Sequence, residues 1–267
     1  MNSVLKYHGG KHYIASNIVN CMAPHKHYVE PFFGGGSVLF AKKNFFQSEV
    51  VNDINWYLTN FWRTLQCPND FAVFKRVVDA IPFSQTEFTD AQIAEVSSHT
   101  TQLQKAIAFF AINRQSRQGL GKDFATLSRN RTRRNMNEQA SSWLSAIDGL
   151  EVAYNRLRGV VILNDDAVRV INQQDGPNTL FYCDPPYLHE TRSSYGEYEY
   201  EYTDEQHEHL LLTLASIQGK FLLSGYHSTM YDRWASTNGF PCYELEVNAS
   251  SSGKSGDTRT ECLWRNY

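Results

Sequence analysis

The sequence predicts an α/β fold interrupted by a helical insertion. Short apolar runs with the composition of strands occur near both ends of the chain, separated by helix-like stretches, as in an α/β core. Between about residues 60 and 155 those strand signals give way to helical periodicity. One buried run, Thr179-Leu180-Phe181-Tyr182-Cys183, stops abruptly at Asp184-Pro185-Pro186-Tyr187. Neither proline offers a backbone N–H, so the strand ends there. Asp184 is therefore expected at the carboxyl end of a strand, where open α/β sheets bind their ligands. Pro185 and Pro186 stiffen the backbone, and Tyr187 sets a flat face beside the acid. Such a site suits a planar ring that bears an amine.

In chain order, Lys6-Tyr7-His8-Gly9-Gly10-Lys11 opens the chain, and a helix-like run continues to Met22. Its two glycines allow a tight turn and a close ligand approach. His27-Tyr28-Val29-Glu30 reads as a strand, Pro31-Phe32-Phe33-Gly34-Gly35-Gly36-Ser37 as a glycine loop, and Val38–Ala41 as the start of a helix. Strand, glycine loop and helix form the layout that holds a nucleotide-like ligand, although this is not the G-x-G-x-x-G of dinucleotide enzymes. The next strand, Glu49–Asn52, ends at Asp53. That acid is placed to meet ribose hydroxyls; the competing role is the N-cap of the helix that follows.

Residues 60–155 read as the insertion, with helices expected over Phe71–Ala80, Asp90–Val96, Gln104–Asn113 and Glu138–Ile147. The segment Arg114–Asn137 has too little apolar content for a core and is expected to be an exposed loop system. It carries Arg114, Arg117, Lys122, Arg129, Arg131, Arg133 and Arg134 against Asp123 alone, with Ser128, Asn130, Thr132 and Asn135 interleaved. That is a phosphate-contacting composition.

Strand signals resume at Val160–Leu163, ending at Asn164-Asp165-Asp166; a short helix leads into the strand before Asp184. His189–Tyr202 is acidic, rich in tyrosine and without a clear period, which suggests a loop over the site. Thr203-Asp204-Glu205-Gln206 is a capping box, and Gly219 the expected C-cap of its helix. Phe221–Ser224 is another buried strand. Cys242–Val247 and Glu261–Arg265 suit a terminal antiparallel pair around a Gly/Ser loop, in which Lys254 and Arg259 are further candidates for phosphate contact.

Composition narrows the class. The chain has 267 residues, 42% hydrophobic, with a net charge of −3. No apolar run is long enough to span a bilayer, and the first residues lack the pattern of a signal peptide. Five scattered cysteines argue for reduced thiols in a cytoplasmic setting. The pairs His25/His27 and His207/His209 lack a third ligand at a recognisable spacing. They are taken as solvated surface residues, and no metal site is expected. The net charge alone argues against nucleic acid, but the basic stretch at 114–134 outweighs it.

Taken together, the K-x-x-G-G-K opening (Lys6–Lys11), E-P-F-x-G-G-G-S (Glu30–Ser37), Asn52-Asp53, Asp184–Tyr187 and the closing Glu261-Cys262-Leu263-Trp264-Arg265-Asn266 resemble the Dam-type DNA adenine N6-methyltransferases nearly end to end. The resemblance implies a Rossmann-like, seven-stranded class I methyltransferase sheet. Residues 1–59 and 156–267 would form the catalytic domain and 60–155 the DNA target-recognition domain. It implies S-adenosyl-L-methionine as methyl donor, with S-adenosyl-L-homocysteine as product, and double-stranded DNA as substrate. A cognate restriction enzyme is compatible with it, and no obligate protein partner is evident. The donor-binding positions so implied are Tyr7, Lys11, Pro31, Phe32, Gly34, Gly35, Gly36, Ser37, Asp53, Asp184 and one of Asp165 and Asp166. Where better-known members carry Trp-Ala, this chain has Tyr7-His8.

The chemistry agrees. The lone pair of a purine's exocyclic amine is delocalised into the ring. Acceptors on both N–H bonds, here Asp184 and the Pro185 carbonyl, pull the nitrogen towards tetrahedral geometry. Tyr187 would stack on a base flipped out of the duplex. Alternatives remain open at this point: a methyltransferase acting on cytosine N4, on adenine in RNA or on a glutamine amide, or a non-catalytic nucleic-acid-binding module of the same fold. A Rossmann dehydrogenase would need the missing fingerprint.

Overall fold

The computed structural model describes residues 4–7, 9–43, 47–191, 200–248 and 258–267. A short helix α1 (Ala15–Asn20) precedes strand β1 (His27–Glu30), and helix α2 (Ser37–Ala41) follows the glycine loop. Strand β2 (Ser48–Asn52) leads to α3 (Trp56–Gln66), α4 (Pro68–Ala80), α5 (Gln85–Val96) and α6 (Gln102–Gln115). The two short strands β3 (Thr132–Arg133) and β4 (Met136–Asn137) come before α7 (Glu138–Leu157) and β5 (Val160–Leu163). The remainder alternates as α8 (Ala167–Gln174), β6 (Thr179–Cys183), α9 (Asp204–Ser216), β7 (Lys220–Gly225) and α10 (Thr229–Asn238), and closes with β8 (Cys242–Asn248) and β9 (Thr258–Arg265). The seven-stranded sheet has the order β5-β2-β1-β6-β7-β9-β8.

Contacts divide the chain into two compact units, one of Met1–His12, Gly34–Ala41 and Asn55–Asn164, the other of Tyr13–Phe33, Lys42–Ile54 and Asp165–Tyr267. In the first, α3, α4, α6 and α7 enclose an aromatic core. Phe61 stacks on Phe110 at 5.7 Å, and Phe74, Trp62 and Trp143 are fully buried around them. Thr101 and Gln104 form a reciprocal capping box that starts α6. The helices run further than periodicity suggested. α6 extends to Gln115 and α7 to Leu157, because their last turns carry buried side chains that the helical pattern alone does not reveal.

The loop expected over 114–137 is only partly a loop. Thr132 pairs with Asn137 and Arg133 with Met136 in an antiparallel hairpin. Arg134 and Asn135 form its turn with φ of 54° and 58°. Two consecutive left-handed residues make the type I′ turn that matches strand twist. Asparagine tolerates that conformation well and arginine poorly, which is why the sequence did not announce it.

The second unit holds the parallel run β2-β1-β6-β7, with β9 antiparallel to β7 and β8 antiparallel to β9. Val29 lies opposite Phe181, and Tyr182 opposite Leu222. All five residues of β6 are buried, as a strand covered on both faces requires. Strand order reverses between β1 and β6, so the crevice at their carboxyl ends is the topological switch point. Two local expectations fail here. Gly219 does not cap α9, whose C-cap is Ile217 in extended conformation. A side chain at Gly219 would instead meet the Thr179 carbonyl oxygen at 3.0 Å, and its N–H donates to Asp175 Oδ1. His207 is not a surface histidine: it is fully buried, 2.8 Å from the Tyr231 hydroxyl.

Candidate active site

The carboxyl ends of β1 and β6 bring a row of acids and phenols to the switch point. Glu30 is 2% exposed, and the Tyr28 hydroxyl donates to its Oε2 at 3.1 Å. Beside it on β6, Tyr182 shares a 2.9 Å hydrogen bond with the Ser224 hydroxyl of β7. Asp184 follows immediately after β6 and is half-buried, while Pro185 behind it is buried. Tyr187 is 7% exposed and donates its hydroxyl to Oε1 of Glu261, a wholly buried carboxylate of β9. Burial is the largest cause that pushes the phenols of Tyr28, Tyr182 and Tyr187 well above their ordinary range, and the neighbouring carboxylates add to it. The three hydroxyls therefore stay protonated, and those of Tyr28 and Tyr187 donate to the carboxylates. The pattern gathers carboxyl and phenol groups at one edge of the sheet.

Asn52 organises the adjacent loops. Buried at the end of β2, its Nδ2 donates to the Pro31 and Asp165 carbonyls at 3.0 and 2.9 Å, and its Oδ1 accepts from Asp165 N–H at 2.9 Å. The glycine-loop entrance and the Asp165 turn are thus held on one side chain. Asp53, next in sequence, is 8% exposed. It is not the cap of α3; Asn55 is, through its Oδ1 and Leu58 N–H at 3.1 Å. Asp165 and Asp166 separate in role. Asp166 caps α8 through Arg169 N–H, whereas Asp165 faces the Arg169 guanidinium at 3.4 Å. Phe32 meets the ring edge of Tyr202 at 5.6 Å.

The other sequence-expected donor positions lie in the first unit. Tyr7 packs directly over the glycine loop: a Cβ on Gly34 would lie 2.6 Å from Tyr7 Cε1, and one on Gly35 2.9 Å from Tyr7 Cβ. Gly34 and Gly36 also have φ of 50° and 70°. These glycines admit Tyr7 as well as any ligand. The Gly34 carbonyl accepts from Trp62 Nε1 at 3.1 Å, which anchors the loop to α3. Lys11 is 4% exposed, and its ammonium donates to the Gly9 carbonyl at 3.0 Å. Ser37 begins α2.

Residues 7–249 match the family of D12 class N6 adenine-specific DNA methyltransferases. The chain belongs to this family. It is also similar to the DNA N-6-adenine-methyltransferase of Escherichia phage P1, with 26% identity over 282 residues, covering 96% of this chain and 34% of that protein. The chain thus spans about a third of the length of that relative.

The basic segment divides in two. Arg117, Lys122, Arg129, Arg131, Arg133 and Arg134 are exposed. Arg131 and Arg134 reach Glu138 and Asp148 at 3.9 and 3.3 Å in pairs open to solvent on the arginine side, which hold them weakly. Arg114 departs from the expected exposed loop. It lies inside α6, 6% exposed, and donates to the Ser142 carbonyl and hydroxyl at 2.8 Å. The last turns of α6, from Phe110 to Gln115, are buried on every side and carry it inward. Lys254 lies outside the described residues, as do the side chain of Arg259 and residues 192–199 of the expected lid.

Nothing in the local sequence marks Glu30, Tyr182, Tyr226 or Glu261 for a separate role. The acids were visible within their motifs, but strand pairing is what places them near Asp184. Tyr226 meets the edge of Tyr187 at 4.8 Å. It also lines a cavity of about 480 Å³ with Thr191, His227, Ser228 and Thr260. Among the described residues, no helix is long and apolar enough to cross a membrane.

Proposed function

We propose that this chain methylates the N6 amine of adenine in double-stranded DNA, with S-adenosylmethionine as donor. The observation that carries the reading is the acid-and-phenol row that ends at Asp184 on the β1/β6 switch point. The donor supplies an electrophilic methyl group on a sulfonium, so its site must tolerate positive charge. Glu30, Asp184 and Glu261 supply the opposite sign at the strand ends, where field lines are poorly screened. The glycine loop gives close backbone approach, and Asp53 takes the ribose hydroxyls, the role of the corresponding acid in sheets of this type.

On the substrate side, Asp184 and the Pro185 carbonyl accept hydrogen bonds from the two N–H groups of the amine and orient the nitrogen lone pair. The rigid prolines hold that geometry before the substrate arrives, and alignment of nucleophile and methyl group does the rest. Tyr187, fixed through Glu261, presents its ring to the flipped base. The base must leave the duplex to reach Asp184. Residues 60–155 carry target recognition, with the β3–β4 hairpin and Arg117, Lys122, Arg129, Arg131, Arg133 and Arg134 contacting phosphates and a minority of them base edges. A cognate restriction enzyme and a cytoplasmic setting belong to the same proposal.

The test is to sequence DNA from cells that express the chain with methylation-sensitive detection, alongside mass spectrometry of its nucleosides. N6-methyladenine in one sequence context, lost in Asp184→Ala, is the expected result. N4-methylcytosine instead, or unchanged methylation in that variant, overturns the assignment.

A further inference from the structure

We infer that His227, Cys242 and Cys262 form a binding site for a thiophilic divalent cation such as Zn²⁺, with Glu244 as fourth ligand. The donor atoms of the first three lie within 4.8 Å of one another. A tetrahedral zinc site with bonds of about 2.0–2.3 Å sets its ligands roughly 3.5–3.8 Å apart. The three donors therefore need only a small inward shift to coordinate. They come from three separate segments: the turn after β7, the start of β8 and the middle of β9. No spacing motif could reveal them in the sequence, where no metal site was expected.

The surroundings are those of a metal-binding histidine. Asp232 holds Nδ1 of His227 at 2.8 Å, and Glu244 Oε1 lies 3.4 Å from Nε2. A carboxylate on one ring nitrogen fixes the tautomer and leaves the other nitrogen as the donor. That second nitrogen faces Glu244, which is directly opposite Cys262 in the β8–β9 register. Glu244 is 60% exposed, so it can swing into the fourth position. Cys262 is fully buried and Cys242 exposed, which places the ion at the rim of the sheet, accessible from solvent.

A disulfide is the competing use of the two thiols, and the register disfavours it. Cys242 is opposite Trp264, and Cys262 opposite Glu244, so the cysteines are diagonal neighbours. Diagonal neighbours lie roughly 7–8 Å apart, with Cβ atoms somewhat closer, whereas a disulfide needs a Cβ separation of about 3.5–4.5 Å. Both thiols are free. A bound ion spans the diagonal without distorting the strands and ties the β7 exit to the β8–β9 hairpin.

The experiment is a Co²⁺ titration of the reduced full chain, followed by displacement with Zn²⁺. The expected result is one ion per chain, with thiolate-to-cobalt charge transfer and the visible bands of tetrahedral cobalt. Cys242→Ser and His227→Ala should each abolish that signature, and Cys21→Ser should leave it intact. Both altered side chains are at least partly exposed, and circular dichroism checks that the variants are folded. Glu244→Gln should keep the thiolate band and weaken affinity by at least about 10-fold. A missing charge-transfer band, or one that survives in Cys242→Ser, overturns the site. A chain lighter by two hydrogens after mild oxidation, with no cobalt bound beforehand, also overturns it in favour of a disulfide.

Discussion

The hydroxyl of Tyr187 donates to Oε1 of Glu261, a bond that joins side chains 74 positions apart. The ring that follows Asp184-Pro185-Pro186 is therefore positioned from β9, by a carboxylate with no solvent exposure. Tyr187→Phe keeps the ring and removes one donor to that carboxylate. A charge-assisted hydrogen bond of this kind contributes about 1.5–3 kcal/mol, so urea denaturation should show a loss of that size. If Glu261 positions the ring, Glu261→Gln should keep most of the fold and lower kcat more than it raises KM for DNA. An unchanged kcat would show that the pair is structural only.

Asp184→Asn keeps the size and removes the charge. Transfer should fall roughly 100-fold or more, as when one preorganised polar contact to a reacting group is lost, while the unfolding midpoint moves little at this half-buried position. Single-turnover methylation of a duplex oligonucleotide measures the first, and thermal unfolding the second.

Gly34→Ala forces a Cβ to within 2.6 Å of Tyr7 at a φ of 50°. Left-handed strain and overpacking together should destabilise by about 2–4 kcal/mol. Adding Tyr7→Ala should recover the packing part and leave the strain, since only the first depends on the ring. Calorimetric unfolding of the two single variants and the double variant gives the coupling directly.

Arginines of the same segment should behave differently. Arg133→Gln, exposed on the hairpin, should weaken binding to all duplexes and lower the salt slope by about one unit. Arg114→Gln should leave the slope unchanged and lower stability instead, because its guanidinium is committed to Ser142. Fluorescence anisotropy across a salt series separates the two.

Lys6 supplies a pH test. Its ammonium donates to the Arg114 and Ser116 carbonyls and to Gln139 Oε1, at 2.8, 3.3 and 3.3 Å. Burial, and then the charge of Arg114, lower its pKa from 10.5 to about 8. Below about 8 the lysine is charged in both states, and the penalty of burying that charge is fully present. Between about 8 and 10.5 the unfolded chain binds more protons than the folded one, so this group's contribution to stability rises with pH. The stability of the wild type relative to Lys6→Met should therefore increase across that window; a decrease would reverse the sign of the shift.

The sequence alone determined the features that depend on neighbours along the chain. Pro185 and Pro186 had to end β6 for want of backbone donors, Thr203 and Gln206 had to cap α9, and Gly34–Gly36 had to form a loop that tolerates close approach. Those local rules sufficed to place Asp184 and the glycine loop and to read the α/β class. The tertiary structure decided what depends on which strands and helices lie side by side. Strand order put Glu30 beside Tyr182 and Glu261 against Tyr187. Helix packing withdrew Arg114 from the basic surface, and burial turned His207 from a surface residue into a core one. Sheet register collected His227, Cys242 and Cys262 from three segments. Burial and long-range pairing are properties of the assembled core, and a residue's local sequence carries no record of the partner the core will supply.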